Sequence, residues 1–163
     1  MKLILGLLAA ATLAGCTLDT GPSNKSSDPS TETFAASLGV DISTMTKTTA
    51  GDYYKDIKVG PAGAPVLSGN AIIGMDYTGY IKNGSAFATG SIKVSDTQQE
   101  TLANLILGLQ DAMQGMAVGG ERLIVVPSQY AYGATSFSSN GVNVPPNSTL
   151  IFDITLTGVQ PTP

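Results

Sequence analysis

The sequence predicts an α+β domain in which a twisted antiparallel sheet, a half-barrel, wraps around one central helix. Several short segments are rich in apolar and β-branched residues and are bounded by turn residues, as strands are. The strongest short hairpin signal, Asn83-Gly84, joins two of these segments. One segment has helical spacing instead. Many strands with a single helix define the α+β class.

The first half of the domain is predicted to consist of strands. Tyr53–Val59 is the first strand, and Ala71–Lys82 is a longer one. After the hairpin turn the chain returns through Ser85–Phe87. Ile92 and Val94 then indicate a further short strand.

The period of the pattern changes after residue 96. Thr97 and Glu100 match a capping box, in which an N-cap Thr and a Glu three residues later satisfy free backbone N–H groups. We expect the helix to end near Gly115. One apolar stripe follows the capping box at helical spacing: Leu102, Leu105, Ile106, Leu109 and Met113.

The second half of the domain is predicted to close the sheet. Arg122–Val126 is a short apolar strand, and Thr149–Val159 is the last strand. Between them lies a long loop, Pro127–Ser148, that is rich in Gly, Ser, Asn and Pro. A loop of more than about 15 residues in a compact domain is usually functional.

Residues 1–15 are predicted to be a lipoprotein signal peptide. The apolar run Leu3–Leu13 is shorter than the roughly 20 residues that span a bilayer, and Lys2 precedes it. The run ends in Leu13-Ala14-Gly15-Cys16, which resembles the bacterial lipobox, whose cysteine is lipidated and becomes the mature N-terminus. A free or buried thiol at Cys16 is the alternative.

Residues 16–33 are expected to comprise the lipidated Cys16 and a flexible tether, because Leu18 is their only large apolar residue. Acyl chains on Cys16 would anchor the protein to a membrane. Thr17 rather than an aspartate follows, which by enterobacterial sorting rules favours the outer membrane, facing the periplasm or the cell surface. Residues 34–50 form an N-terminal extension with apolar residues that can pack on the domain: Phe34, Leu38, Val40, Ile42 and Met45.

The composition excludes several classes of function. Twelve acidic and eight basic residues give a net charge of −4, which argues against a nucleic-acid partner. With no histidine and one cysteine, the chain cannot form a Ser-His-Asp triad, a Cys-His pair or a His-rich metal site. We therefore expect no metal and no cofactor.

Six motifs follow one another between residues 51 and 160. They are Asp76-Tyr77-Thr78-Gly79, Asn83-Gly84, Gly108-Leu109, Met116-Ala117-Val118-Gly119, Tyr130-Ala131-Tyr132-Gly133-Ala134 and Val144-Pro145-Pro146-Asn147-Ser148-Thr149-Leu150-Ile151-Phe152-Asp153. In this order they resemble the FKBP-type peptidyl-prolyl cis-trans isomerases, in a bacterial lipoprotein form. Each motif alone is weak, but six in the same order are specific.

The resemblance implies an isomerase domain over residues 51–160 with an apolar aromatic pocket for Xaa-Pro segments. The catalytic residues that it implies are Tyr77, Phe87, Ile106, Tyr132 and Phe152. The substrate-binding residues that it implies are Leu105, Leu109, Ala88 and Val144. Without the resemblance, the apolar stripe of the helix and Phe152 would be interpreted as core.

Two positions depart from the family pattern and are expected to reduce activity. Ala88 stands where the family usually has an aspartate that accepts a hydrogen bond from the tyrosine at position 77. We expect Tyr77 to bond Thr89, Ser91 or water instead. Leu109 stands where the family usually has a tryptophan at the pocket floor.

The function implied is that of a peptidyl-prolyl cis-trans isomerase that assists the folding of envelope or periplasmic proteins. Its partners would be proline-containing polypeptides and, through Cys16, a membrane. We expect a monomer, because no segment resembles a dimerisation helix. The alternative is a catalytically weak chaperone or peptide-binding lipoprotein, which the two departures favour.

Overall fold

The computed structural model describes residues 26–95 and 99–162. These residues contain eight strands and one short α-helix. The elements are β1 (Thr46–Lys47), β2 (Tyr53–Lys58), β3 (Ala71–Ile81), β4 (Ala86–Ile92), α1 (Leu107–Ala112), β5 (Glu121–Val126), β6 (Phe137–Ser139), β7 (Val142–Val144) and β8 (Leu150–Pro161). Six strands form an antiparallel sheet in the order β1-β2-β5-β8-β3-β4, and β6 pairs with β7. The predicted α+β class is confirmed.

The sheet has an apolar inner face and an apolar outer patch, because strand residues alternate between the two sides. In β8, Phe152 and Ile154 join the main core under α1, whereas Ile151 faces the other side. In β5, Ile124 lies in the main core and Val125 lies in the outer patch. The main core and the outer patch are therefore separated only by the thickness of the sheet.

The helix is shorter than its apolar stripe predicts. α1 has six residues, and a 3₁₀ turn at Leu102–Asn104 precedes it. The Ile73 N–H donates to the Glu100 carbonyl at 2.9 Å, and Thr101 forms a bridge to Ile72. Pairing with β3 therefore keeps this stretch extended, against the predicted helix. Thr97 of the predicted capping box lies outside the described residues.

Arg122 fastens the end of α1 to the sheet. Its Nη1 donates to the carbonyls of Ala112 at 2.7 Å and Gln114 at 3.1 Å. Its Nε and Nη2 donate to the Asp56 carboxylate at 2.7 and 3.1 Å. Because a cation at a helix C-terminus satisfies free carbonyls, this buried arginine fixes where α1 ends.

The predicted long loop contains regular structure. A 3₁₀ turn covers Ser128–Tyr130, and β6 and β7 form a hairpin. Asn140 and Gly141 have φ of 49° and 75°, the positive values that a two-residue hairpin turn requires. The hairpin carries Phe137 back towards β4, where it packs on Phe87.

The N-terminal extension covers the outer patch, as its apolar residues led us to expect. The patch consists of Tyr53, Leu123, Val125 and Ile151. Tyr80 of β3 packs on this patch, as do five side chains of the extension: Phe34, Leu38, Val40, Ile42 and Met45. The covering segment contains two 3₁₀ turns, Ala36–Leu38 and Ile42–Thr44, and strand β1.

Ordered contacts begin earlier than the predicted tether boundary at residue 33. The Ser128 N–H donates to Ser27 Oγ at 2.7 Å, and Pro29 is buried in a 3₁₀ turn, Pro29–Thr31. Glu32 accepts a hydrogen bond from Thr149 at 2.6 Å and pairs with Lys82 at 3.1 Å. Specific polar contacts, which composition does not reveal, therefore hold residues 26–33 on the domain.

The predicted signal peptide and Cys16 lie outside the described residues. Among the residues described, no helix is long and apolar enough to cross a membrane.

Candidate functional site

A cavity of about 370 Å³ opens on the inner face of the sheet, and we call it the aromatic cavity. Strands β3, β4 and β8 form its walls, and the segment around α1 forms its remaining side. Its lining residues are Met75, Tyr77, Phe87, Ala88, Ile92, Glu100, Asn104, Leu105, Ile106, Leu109, Tyr132, Phe152 and Ile154. The lining is mainly apolar, as small-ligand and peptide sites usually are.

An irregularity in β4 brings two consecutive residues to the cavity. The register between β3 and β4 shifts at Gly79, so that Phe87 and Ala88 both line the cavity instead of facing opposite sides. A Cβ at Gly79 would lie 2.9 Å from the Phe87 ring and 3.0 Å from the Phe152 ring. Only glycine at position 79 lets these two rings approach each other across β3.

Four aromatic rings pack edge-to-face in a row, and all of them except Phe137 line the cavity. The ring centroids of Phe87 and Phe152 are 5.9 Å apart, and those of Phe87 and Phe137 are 5.8 Å apart. Tyr132 packs on Phe137 at 4.6 Å and remains 44% exposed. The chain therefore presents Tyr132 at the mouth of the cavity and Phe152 deep inside it.

Tyr77 is held by packing, and neither Thr89 nor Ser91, two of its three predicted partners, bonds its hydroxyl. It lies opposite Gly90 in the β3–β4 ladder, and a Cβ at Gly90 would come within 2.9 Å of the Tyr77 hydroxyl and ring. Thr89 faces the outer side, where its hydroxyl is 3.5 Å from that of Thr78. Strand alternation therefore removes Thr89 from reach. Within the described residues, the Tyr77 hydroxyl has no hydrogen-bond partner.

The chain at Ile106 is extended and leaves a backbone donor at the cavity. Ile106 has φ −58° and ψ 147° and is the N-cap of α1. The Gln110 side chain donates to the carbonyls of Leu105 at 2.7 Å and Ala103 at 3.1 Å, which holds the preceding turn out of the helix. No described residue accepts a hydrogen bond from the Ile106 N–H. This group is free to donate to a ligand carbonyl.

The cavity contains little charge. Among its described lining residues, Glu100 is the only one with an ionisable carboxyl or amine. Burial raises the pKa of the Tyr132 phenol above its usual value, and the nearby Tyr77 phenol adds to this rise. Tyr132 therefore stays a neutral donor at physiological pH. The described residues contain no group of three His, Cys, Asp or Glu side chains that could hold a metal ion.

A second, shallower depression of about 440 Å³ lies on the other side of the 102–107 segment. It gathers the amide side chains of Asn70, Gln110 and Gln114 around an exposed Leu107. Tyr130 is its only aromatic lining residue in the described chain. We assign the candidate site to the aromatic cavity because its rings and free N–H form a binding surface that this depression lacks.

The aromatic cavity brings together eight of the nine pocket residues that the sequence predicted. They are Tyr77, Phe87, Ala88, Leu105, Ile106, Leu109, Tyr132 and Phe152. Val144 does not line it: this residue of β7 is 1% exposed and belongs to the main core. Five lining residues were not predicted: Met75, Ile92, Glu100, Asn104 and Ile154. Strand alternation from Tyr77 and Phe152 could have identified Met75 and Ile154.

The family model of the FKBP-type peptidyl-prolyl cis-trans isomerases matches residues 66–157, which is more than half of the chain. The chain belongs to this family. FK506-binding protein 4 of Neurospora crassa is 35% identical to it over 105 residues, which are 64% of this chain and 21% of that protein. The FKBP-type chain thus spans between 20% and 28% of the length of the curated relatives that it matches.

Solved structures of the family share the fold. A peptidyl-prolyl cis-trans isomerase from Pseudomonas syringae has a TM-score of 0.59 at 25% identity, and the match covers 77% of this chain and 86% of that one. FkpA from Escherichia coli has a TM-score of 0.55 at 27% identity, covering 73% of this chain and 53% of that one. The predicted FKBP-like architecture is confirmed by both likenesses.

Proposed function

We propose that the aromatic cavity binds Xaa-Pro segments of polypeptides and catalyses their cis–trans isomerisation, and that the protein assists the folding of cell-envelope or periplasmic proteins. The observation that carries this proposal is the meeting of Phe87, Tyr132 and Phe152 with the free Ile106 N–H in one cavity. A proline ring fits apolar walls of this kind, and a peptide carbonyl needs such a donor.

The reaction requires no acid, base or nucleophile. Rotation about a peptide bond has a barrier of about 18–20 kcal/mol because amide resonance must be broken. The twisted transition state carries less charge separation than the planar amide. An apolar cavity therefore favours it relative to water, and only this differential binding accelerates the step. A cavity whose described lining contains a single carboxylate suits this chemistry.

Two donors orient the substrate in this mechanism. The Ile106 N–H holds one substrate carbonyl, and the Tyr132 hydroxyl, which is a neutral donor, holds another. Because the second donor is 44% exposed at the mouth of the cavity, its contribution is the smaller one. The apolar contact with Phe152, which is 5% exposed, contributes more.

An isomerase assay on the full chain, purified in a non-ionic detergent, tests the proposal. We expect the protein at micromolar concentration to accelerate cis-to-trans conversion of an Ala-Leu-Pro-Phe peptide. Tyr132→Phe should lower kcat/KM by a few fold, because it removes one donor worth about 0.5–1.5 kcal/mol. A wild-type rate equal to the uncatalysed rate, with detergent alone as control, would exclude the enzyme.

A chaperone that binds prolyl segments without fast turnover is the second candidate. Ala88 and Leu109 favour it, because both line the cavity and neither supplies the polar wall or the flat floor that the family usually has. Suppression of client aggregation by a protein with no isomerase activity would support this candidate. Restoration of turnover in Ala88→Asp would show that the departure at position 88 is the cause.

We also propose that Cys16 is lipidated and anchors the protein to the envelope, in the outer membrane facing the periplasm or at the cell surface. The lipobox-like Leu13-Ala14-Gly15-Cys16 supports this. Labelled palmitate should enter the wild type expressed in a lipoprotein-processing bacterium, and Cys16→Ser should remove both the label and the membrane fraction. A labelled Cys16→Ser variant would contradict the anchor.

A further inference from the structure

We infer that Glu100 gives the aromatic cavity a preference for clients with a basic side chain next to the proline. This deepens the proposed prolyl site and rests on it. The carboxylate is the single charged group among the described lining residues, and the other twelve lining residues are neutral.

The backbone holds Glu100 in place at the cavity. Its carbonyl accepts the Ile73 N–H at 2.9 Å, and the next residue, Thr101, bridges to Ile72 of β3. Gln99 donates from its side chain to the Val94 carbonyl at 3.1 Å. Because contacts on both sides fix the chain here, the Glu100 side chain extends from an anchored point on the wall.

The Glu100 carboxylate is available to a ligand. The side chain is half-buried, and no described residue donates a hydrogen bond to it or pairs with it. Its neighbours in the lining include Met75 and Ile92, which do not compete for a cation. Apolar walls weaken the screening of a charge by water.

A bound client is therefore expected to gain from a lysine or arginine beside its proline and to lose from an acidic residue there. Asn104 is the other polar residue of this part of the lining, and it is exposed and neutral. Its amide N–H can donate to an anion and its carbonyl can accept from a cation, so it does not reverse the preference. Charge selectivity is thus attributed to Glu100 alone.

The test compares peptides that differ only in the residues flanking proline. Exchange between cis and trans forms is measured by NMR for peptides with Lys, Glu or Leu directly before or directly after proline, and the dissociation constant of each peptide is measured by titration. The proteins are the full-length wild type, Glu100→Gln and Asp76→Asn. The last removes one negative charge from an exposed outward position of β3 and is the matched control.

In the wild type we expect the Lys peptide to exceed the Glu peptide by roughly two- to fivefold in kcat/KM or affinity at one flanking position, the range typical of partly exposed ion pairs. Glu100→Gln should bring the ratio close to one, while Asp76→Asn keeps it. Raising the salt from about 0.01 M to about 1 M should also reduce it, because the screening length falls from about 30 Å to about 3 Å.

Equal Lys-to-Glu ratios in wild type and Glu100→Gln at both flanking positions would overturn the inference. The Leu peptides separate this outcome from failure of the proposed function. If they are bound and isomerised while charge has no effect, only the role of Glu100 is lost. If no peptide is isomerised, the affinities still decide the charge preference, and absence of all binding overturns both.

Discussion

The two faces of the sheet differ in how much of their apolar surface the rest of the chain covers. On the outer side, the patch around Ile151 is covered by residues of the N-terminal extension. On the inner side, α1 covers part of the apolar surface, and about 370 Å³ beside Phe152 stays open. Ile151 and Phe152 are consecutive in β8, so the difference arises from what packs on each face rather than from the strand itself.

The covered face and the open face differ in what they contribute to stability and to binding. Exposed apolar patches promote association, and covering the outer one with the chain's own residues removes that surface from solvent. Leaving the inner one open costs buried area but keeps aromatic surface available to a peptide. We therefore expect mutations on the outer face to change the free energy of unfolding, and mutations in the cavity to change ligand binding as well.

The largest effect is expected from a matched pair in β8. Phe152→Ala should lower the free energy of unfolding by about 3–5 kcal/mol, and Ile151→Ala by about 2–5 kcal/mol. Only Phe152→Ala should also lower kcat/KM of the remaining folded protein, by at least about tenfold. Urea unfolding and isomerase assays below the unfolding transition measure both quantities. Equal loss of activity in the two variants would show that the two faces of the sheet do not differ in their contribution to binding.

The extension should contribute to stability without contributing to activity. Phe34 is half-buried on the outer patch, and Phe34→Ala should lower the free energy of unfolding by about 1–3 kcal/mol, less than a core phenylalanine. Thermal unfolding checks this, with Ser43→Ala on the exposed side of the extension as control. A lower kcat/KM for Phe34→Ala under conditions in which the variant is fully folded would show that the two faces are coupled.

Asp52 lies where the two regions meet and should make stability depend on pH. Its carboxyl is buried, its Oδ1 has no partner among the described groups, and a Cβ at Gly108 of α1 would lie 2.7 Å from that oxygen. Burial, followed by repulsion from Asp111, raises its pKa from 3.8 to about 6. The folded state therefore keeps its proton at pH values where the unfolded state has lost it.

Stability should accordingly fall as the pH rises from about 4 to about 6, by about 1–3 kcal/mol, and change little from this source above that range. Asp52→Asn should remove this slope and be the more stable protein at pH 7. Urea unfolding from pH 4 to pH 7 tests both statements. A wild type and an Asp52→Asn variant with parallel pH profiles would contradict the assignment.

The smallest effect is expected at Gly90, which lies opposite Tyr77 in the β3–β4 ladder. Gly90→Ala would push the Tyr77 ring out of its position, because the new Cβ would lie within 2.9 Å of it. We expect kcat/KM to fall by about two- to fivefold, corresponding to about 0.4–1 kcal/mol. Thr89→Ala, at an exposed outward position of the same strand, is the control. Unchanged activity would mean that Tyr77 is not positioned by Gly90.

Much of the sheet could be predicted because alternation and turn residues are local signals. The strands β2, β3 and β5 coincide with stretches that were predicted as strands, and Asn83-Gly84 marks the β3–β4 turn. The resemblance that rests on the six motifs predicted eight of the thirteen described lining residues of the aromatic cavity. The packing of the extension on the domain could also be predicted, because Phe34 and other apolar residues recur in a short segment that is otherwise polar.

The remaining features depend on contacts distant in sequence. The helix starts at Leu107, nine residues later than predicted from an N-cap at Thr97, because pairing with β3 competes with helical propensity. Asn140-Gly141 carries the same turn signal as Asn83-Gly84 but lies in a stretch whose composition suggested a loop. Val144 was assigned to the pocket by its motif, whereas the alternation of β7 buries it in the core.

Chemical-shift mapping with a Leu-Pro peptide tests directly whether the aromatic cavity is the prolyl site. We expect the backbone amide signals of Ile106, Tyr132 and Phe152 to shift as the full-length protein is titrated, and those of Leu123 and Val125 on the covered face to stay unchanged. Shifts confined to the outer face, or no saturable shifts at millimolar peptide, would contradict the assignment of the inner cavity as the prolyl site.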